Sequence, residues 1–312
     1  MSHVLWSRLV REAVARGAFF VPAPRRLRLE RYLRGKEEAE KLRRADAAVV
    51  SFGKSGRTWL RVLLSRFYQQ RFALPDGSLF GFDNLHRKNG AVPRLLFTHD
   101  NYLKDYTGHG ETKDDYLGTK VVLLVRDPRD TAVSQFFQWK FRMRPAKKAL
   151  NDYPAHGADM PINDFLFDEG GGLPKVIGFL NGWAGERERF ADLLVVRYED
   201  LRRDTGGELA RVLRFLGIDP TPTEVEDCVR YASVENMRTL ETKRVFWLAG
   251  TRMRAKDEGN PDSFKVRRAK VGGWRDYLSE DEAARVEALI AATLLPGFGY
   301  RPDEAPPARA SA

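Results

Sequence analysis

The segment densest in chemistry reads Gly53, Lys54, Ser55, Gly56, Arg57, Thr58, Trp59, between an apolar run at 47–52 (AAVVSF) and a helical stretch at 58–70. A strand that feeds a helix through such a turn points the helix's first free N–H groups at one spot, where the helix dipole favours negative charge. Glycine admits close backbone approach, Lys54 supplies a compact cation, and Ser55 and Thr58 add hydroxyl donors. The chemistry this suits is the binding of a phosphate or sulfate. A plain structural turn with an incidental lysine is the alternative for the segment taken alone. The nucleoside-triphosphate Walker loop is excluded, because it needs a glycine five residues before the Gly53–Lys54 pair and that position is Ala48.

Two more segments carry side chains suited to a charged ligand. In VVLLVRDPRDTAVSQFF, Arg126 ends an apolar run and Ser134 lies in the following helix, with Pro128 well placed at its start. Arg126 offers a fork of N–H donors to a phosphate, or else pairs with Asp130, while Ser134 offers one hydroxyl. In LLFTHDNY, His99 follows a short apolar run, at the strand end where open α/β sheets build their sites. An imidazole titrates near physiological pH, so His99 suits the removal of a proton from an attacking hydroxyl. His3, His86, His109 and His156 have no such context and are assigned no role. Glu111, Asp114 and Asp115 read as a solvated loop, since no His or Cys stands at ligand spacing, and no metal is expected.

The elements that must hold these residues are legible from hydrophobic period. Apolar runs at 47–52, 95–98, 120–125 and 193–197 read as strands covered on both faces, with helical stretches at 58–70, 130–141, 173–190, 207–216 and 280–294. Strand then helix, repeated, predicts an α/β domain with a central parallel β-sheet flanked by helices. With 312 residues, 43% hydrophobic and 11% aromatic, and no internal repeat or linker, a single domain over 46–300 is expected. The polar stretches 142–161 and 244–265 are long enough to be lids or substrate-binding loops, and the Pro- and Ala-rich 301–312 reads as a flexible tail.

Charge narrows the partners. The formal net charge is +10, and through residue 45 twelve Lys or Arg face five Glu, so the imbalance concentrates in a basic, partly amphipathic N-terminal extension, residues 1–45. Trp6, Leu9, Val10, Ala13, Val14 and Gly17 share one helical face there, a stripe that suits packing on the domain or a second subunit, or peripheral contact with a membrane. Positive charge also suits nucleic acid, but no recognition motif accompanies it. Cys228, the single cysteine, stands among Glu226, Asp227 and Arg230 on what reads as an ordinary helix surface, which fits a reducing compartment. No apolar run of about 18 residues and no secretory leader is visible, so a cytoplasmic protein, soluble or peripheral, is expected.

Together these segments resemble the cytosolic-type sulfotransferases, in a bacterial-like member, over roughly residues 46–278 and in the family's order. That family uses 3'-phosphoadenosine 5'-phosphosulfate (PAPS) as donor. GKSGRTW resembles its phosphosulfate loop, usually KSGTTW, so Lys54, Ser55, Gly56, Arg57 and Thr58 would wrap the phosphosulfate and Trp59 would lie against the adenine. Arg57 in place of Thr is a departure, an added charge for the sulfate or for solvent. Arg126 and Ser134 match the arginine and serine that read the 3'-phosphate. KVRRAKVGGWRDYLS resembles the Arg-Lys-Gly, Gly-Asp-Trp stretch that closes over it: Arg267 and Arg268 keep the charges, Ala269 replaces a phosphate-binding glycine, and Gly273 replaces Asp. Tyr198 in VVRYEDL, with Ser233 and Val234 in RYASVENM, matches residues that hold the nucleotide, Val234 standing where an aromatic often sits. His99 matches the family's base in its Thr-His pair, and Phe97 replaces a lysine common in animal members.

The resemblance implies a P-loop NTPase-like sulfotransferase fold and transfer of a sulfuryl group from PAPS to a hydroxyl or amine of a small molecule, lipid or carbohydrate, without a metal. His99 would be the general base, Lys54 would stabilise the leaving phosphate oxygen, and Ser134 would gate Lys54. By analogy with phosphoryl transfer, in-line attack on sulfur asks mainly for positioning and charge stabilisation. A basic nucleic-acid-binding protein and a nucleotide kinase are the alternatives; the first would bind with steep salt dependence, the second would need Mg²⁺ and the missing Walker loop. The acceptor is not encoded. Loops 72–94, 142–161 and 244–265 would bind it, and Phe80, Phe82, Phe141, Phe246 and Trp247 read equally as acceptor walls or as core.

Overall fold

The computed structural model describes residues 21–243, 245, 259, 262, 264 and 266–304. The stripe from Trp6 to Gly17, Phe246, Trp247, most of the 244–265 stretch and the end of the tail lie outside the described residues.

Four strands, β1 (Ala47–Ser51), β2 (Leu95–Thr98), β3 (Lys120–Val125) and β4 (Leu193–Arg197), form one parallel sheet in the order β2-β1-β3-β4. These are the strands the apolar runs predict, β1 ending one residue early at Ser51. Helices α1 (Ala23–Leu42), α2 (Arg57–Arg71), α3 (Pro128–Phe137), α4 (Leu173–Glu186), α5 (Thr205–Phe215), α6 (Pro222–Tyr231), α7 (Val234–Thr242) and α8 (Glu280–Thr293) cover it. Side chains alternate along each strand, so β1 and β3 send Ala48, Val50, Val121 and Leu123 into one core and Ala47, Val49, Val122 and Leu124 into the other. The first core is closed by Leu42, Phe136, Trp183 and Ile290 from α1, α3, α4 and α8; the second by Leu63, Val212, Cys228 and Leu240 from α2, α5, α6 and α7. Two buried faces explain why the strands read as unbroken apolar runs.

Cys228 therefore corrects the sequence reading: it is fully buried, on the face of α6 that packs on α2. Successive helical residues turn by about 100°, so Glu226 and Arg230 are exposed while Asp227 pairs at the edge of the same contact with Arg66 of α2 at 2.7 Å. Burial pushes the thiol up to about 12. The stretch 142–161 also differs from a plain loop. After α3 the chain makes a π turn (Gln138–Arg142) and a short helix (Pro145–Leu150), and Phe80 joins the second core with no exposure while Phe82 and Phe141 pack against the first.

Part of the basic extension is built into the fold. Helix α1 lies along the short helix Leu103–Thr107 and contributes Ala39 and Leu42 to the core. Gly35 permits the approach, since a Cβ there would sit 2.2 Å from the Tyr102 carbonyl oxygen.

Strand register then sets the site. Val50 pairs with Thr98, Ser51 with Leu124, and Val125 with Arg197, so the four strands finish level. The segments that leave them, carrying Lys54, His99, Arg126 and Tyr198, emerge along one sheet edge, the edge where parallel sheets bind ligands.

Candidate active site

The loop after β1 is bent by two left-handed residues, Lys54 (φ 74) and Gly56 (φ 93), so that α2 starts at Arg57. Gly56 has no substitute, because a Cβ would lie 2.7 Å from the Tyr198 ring. Lys54 has a Cβ and holds that conformation at a cost of about 1–2 kcal/mol, strain of the kind concentrated at functional sites. Desolvation, followed by the charges of Arg142, Arg267 and Arg126, lowers the Lys54 ammonium from 10.5 to about 7. A lysine pressed toward neutrality by surrounding cations lies where the fold expects an anion.

The cavity over this loop measures about 270 Å³ and is lined by nine Lys or Arg against one carboxylate, Asp130, among the described residues. Arg126 ties two parts of it together: Nη1 donates to the Lys54 carbonyl at 3.1 Å, Nη2 to the Lys270 carbonyl at 3.3 Å, and the guanidinium stacks 4.3 Å over Tyr198. Asp130 stands 3.5 Å from Arg126, so the pairing read from the sequence is present beside these contacts. Among the described residues Arg126 Nε is buried with no partner, as expected of a donor held for a ligand. Asp130 has a second task that the sequence did not reveal. Its carboxylate accepts from the Gly272 and Trp274 amides at 2.8 and 2.9 Å, pinning the 267–277 segment over the cavity.

On that segment Arg267 stacks 3.6 Å over Phe137 and bonds Tyr277 Oη and Asp262, each at 3.1 Å. Arg268 lines the cavity from an exposed position and pairs with Asp276 at 3.1 Å. Ala269 has φ 52, the left-handed conformation a glycine takes without strain, so the backbone shape persists with a Cβ on it. At the opposite wall Trp59 donates to the Ala232 carbonyl at 2.8 Å and meets Tyr198 edge-on at 6.1 Å, beside Val234 and Met237. Thr58 and Ser134 also line the cavity. Ser55 and Ser233 are not among its lining residues. Ser55 is buried, and Ser233 Oγ is used in capping α7, accepting from the Asn236 amide at 3.2 Å.

His99 sits where this cavity meets a second one of about 330 Å³; both are lined by His99, Phe52, Asn101, Asn151 and Lys175. Its tautomer follows from its partners. Nδ1 lies 2.8 Å from the Ser51 carbonyl, which can only accept, so Nδ1 carries the proton. Nε2 lies 2.5 Å from Arg57 Nη2, which can only donate, so Nε2 presents a lone pair. Behind it, Thr98 Oγ1 donates to Glu38 of α1 and accepts from the Asp100 amide at 2.8 Å. Asp100 is bound in turn by Lys113 Nζ at 2.7 Å and Tyr116 Oη at 3.0 Å. Burial raises the Glu38 carboxyl from 4.5 to about 7, against the opposing Thr98 bond. Lys175 donates to the Asn151 and Gly170 carbonyls and is lowered by burial to about 8. Glu38, Asn151 and Lys175 carry no motif; they reach the site across 24 to 60 residues of chain only because helices pack there, a signal absent from local spacing. Phe97, one residue before Thr98, packs under the Arg61 guanidinium at 4.0 Å on the far side of β2.

Among the described residues no group of three His, Cys, Asp or Glu is arranged to hold a metal ion, and no helix is long and apolar enough to cross a membrane. The architecture is shared with mouse sulfotransferase SULT7A1 complexed with PAP (TM-score 0.56, 21% identity, 84% of this chain and 90% of that one). It is shared as well with retinol dehydratase in a complex with retinol and PAP (TM-score 0.56, 21% identity, 83% and 85%). In sequence the chain is similar to cytosolic sulfotransferase 12 of Arabidopsis thaliana (26% identity, 79% of this chain and 76% of that one). The amine sulfotransferase of Oryctolagus cuniculus is 23% identical over 80% of each chain. Residues 44–296 match the sulfotransferase domain, most of the chain including every strand and the whole cavity wall, and the protein belongs to that family.

Proposed function

We propose that this sulfotransferase takes the nucleotide of PAPS in the cationic cavity and an acceptor hydroxyl or amine in the second, with His99 between them as general base. The donor supplies the sulfuryl group; the chain supplies charge, position and a proton acceptor. Lys54, Arg57, Thr58 and the start of α2 surround the phosphosulfate, and Lys54 in its charged form stabilises the bridging oxygen as it leaves. Arg126 and Arg267 face the 3'-phosphate with Ser134 beside them, Ser134 also restraining Lys54 until the donor is in place. Trp59, Tyr198 and Val234 enclose the adenine, with Arg268 and the Ala269 amide closing the far side. His99 Nε2 removes the proton from the attacking group, and its Nδ1 proton, held by Ser51, keeps the ring in that orientation. The single observation that carries this reading is the unprotonated Nε2, facing Arg57, at the junction of the two cavities.

The second cavity favours a polyhydroxylated acceptor of the carbohydrate class over a lipid or flat phenol. Asp100, Asn101, Lys104, Asp105, Asn151 and Lys175 outnumber its apolar walls, Phe52, Leu150 and Phe179, and a wall so rich in polar groups suits a ligand rich in hydroxyls. Radiolabelled PAPS offered with matched oligosaccharide, phenol and sterol panels tests this: label in the sugars is the expected outcome, and label confined to phenol or sterol overturns it. We place the protein in the cytoplasm, the 1–20 stripe packing on the domain or a second subunit, with peripheral membrane contact as the alternative. Equal vesicle flotation of the full chain and of a chain lacking residues 1–20 contradicts that contact.

A further inference from the structure

We propose that Arg57 masks the base of the donor-free enzyme and that the sulfuryl group of the donor unmasks it, so that the acceptor finds a competent base only after PAPS is bound. The inference rests on the reading of His99 as base and goes beyond it. Arg57 is the first residue of α2, on the phosphosulfate loop itself, and its guanidinium is the group that occupies His99 Nε2, at 2.5 Å. It does not point to solvent, one of the two expectations for a charge at this position. A guanidinium donating to Nε2 takes the lone pair that a general base needs, so the resting geometry is inactive.

The same side chain stands at the helix start where an anionic oxygen binds. A bond from guanidinium to an anionic oxygen is roughly twice as strong as one to a neutral acceptor, so sulfuryl oxygens placed at the loop outcompete the imidazole for Arg57. Nε2 is then released toward the cavity it shares with Asn101, Asn151 and Lys175. Ser51 keeps the ring from turning as Arg57 leaves, because its carbonyl holds Nδ1 from the other side at 2.8 Å. Arg57 acts on the reaction through His99 and is in this respect a positioning residue.

The test uses the full chain and diethyl pyrocarbonate, which acylates a bare imidazole nitrogen, with mass mapping to separate His99 from His3, His86, His109 and His156. Without nucleotide, His99 in Arg57→Thr should react about five- to tenfold faster than in wild type, the ratio for loss of one ordinary hydrogen bond. Arg57→Lys, with a shorter reach, should behave the same way and serves if the threonine variant does not fold. Nitrogen NMR of His99 supplies the second readout: PAPS should shift Nε2 toward the free lone-pair value, whereas adenosine 3',5'-bisphosphate, which lacks the sulfuryl group, should not. Equal acylation rates in wild type and both variants, or the same shift with both nucleotides, overturns the proposal. Full turnover in His99→Ala would instead sink the base reading, and the acylation rates would still stand as measured.

Discussion

At the residue scale the cavity gathers cations around a loop built to receive an anion. Lys54 shows this most clearly, and the sign of its pH dependence follows. In the donor-free protein its pKa is lowered from 10.5 to about 7, so above about pH 7 it is largely neutral. A bound polyanion restores the charged form. Binding of adenosine 3',5'-bisphosphate at about pH 8.5 should therefore take up as much as one proton, and affinity should fall as pH rises above 7. Calorimetry in two buffers of different ionisation enthalpy reads the uptake; none at that pH, or the same uptake in Lys54→Met, contradicts the assignment. For Arg126→Ala, affinity for adenosine 3',5'-bisphosphate should fall about ten- to hundredfold, the worth of a hydrogen bond to a charged group. Adenosine 5'-monophosphate, which lacks the 3'-phosphate, should change only a few-fold, and equal losses for the two would remove Arg126 from the 3'-phosphate. Lys54, Arg126 and His99 were legible in the sequence because each follows an apolar run that can only be a strand. Asp130 and Glu38 were not. Their partners, the Gly272 amide and the Thr98 hydroxyl, stand 142 and 60 residues away and leave no trace in local spacing.

At the scale of elements, the sheet was legible and the arrangement of what covers it was only partly so. Strands buried on both faces write a continuous apolar run, and all four were placed to within a residue. Helix α1 gave the opposite signal: its sequence is strongly basic and buries only Gly35, Ala39 and Leu42, so nothing in its period announced a core contact. Its contribution is Glu38, set against Thr98 beside His99. Gly35→Ala should drive α1 away from the Tyr102 carbonyl and Tyr106, at a cost of about 1–3 kcal/mol for overpacking, and should lower turnover more than nucleotide affinity. An unchanged melting temperature with unchanged turnover would show that α1 does not hold the His99 strand end. Glu38 adds a pH signature. Its folded pKa is raised from 4.5 to about 7, so the stability linked to its protonated form is complete below about pH 4.5 and is lost as pH rises through 7. Thermal melts from pH 5 to 8 should decline less steeply in Glu38→Gln than in wild type, and parallel declines contradict the shift.

For the whole molecule, the net charge of +10 is partly gathered at the cavity, where among the described residues nine cations meet one carboxylate. That concentration fits a single nucleotide held in a pocket. The family match over 44–296 sets the reaction class, while the acceptor depends on packing between distant segments and on stretches such as 246–258 that lie outside the described residues. What the sequence could state was chemistry carried by short segments; what it could not state was which residues from elsewhere close around them. We propose that His99 removes the acceptor's proton at the meeting of two cavities. The most direct test is single-turnover transfer of a radiolabelled sulfuryl group from PAPS, in wild type and His99→Ala, with nucleotide affinity measured alongside. Transfer by the variant should fall about 10²- to 10⁴-fold, with the dissociation constant for adenosine 3',5'-bisphosphate within a few-fold of wild type. Near-normal transfer in the variant, or loss of nucleotide binding in a folded protein, would contradict it.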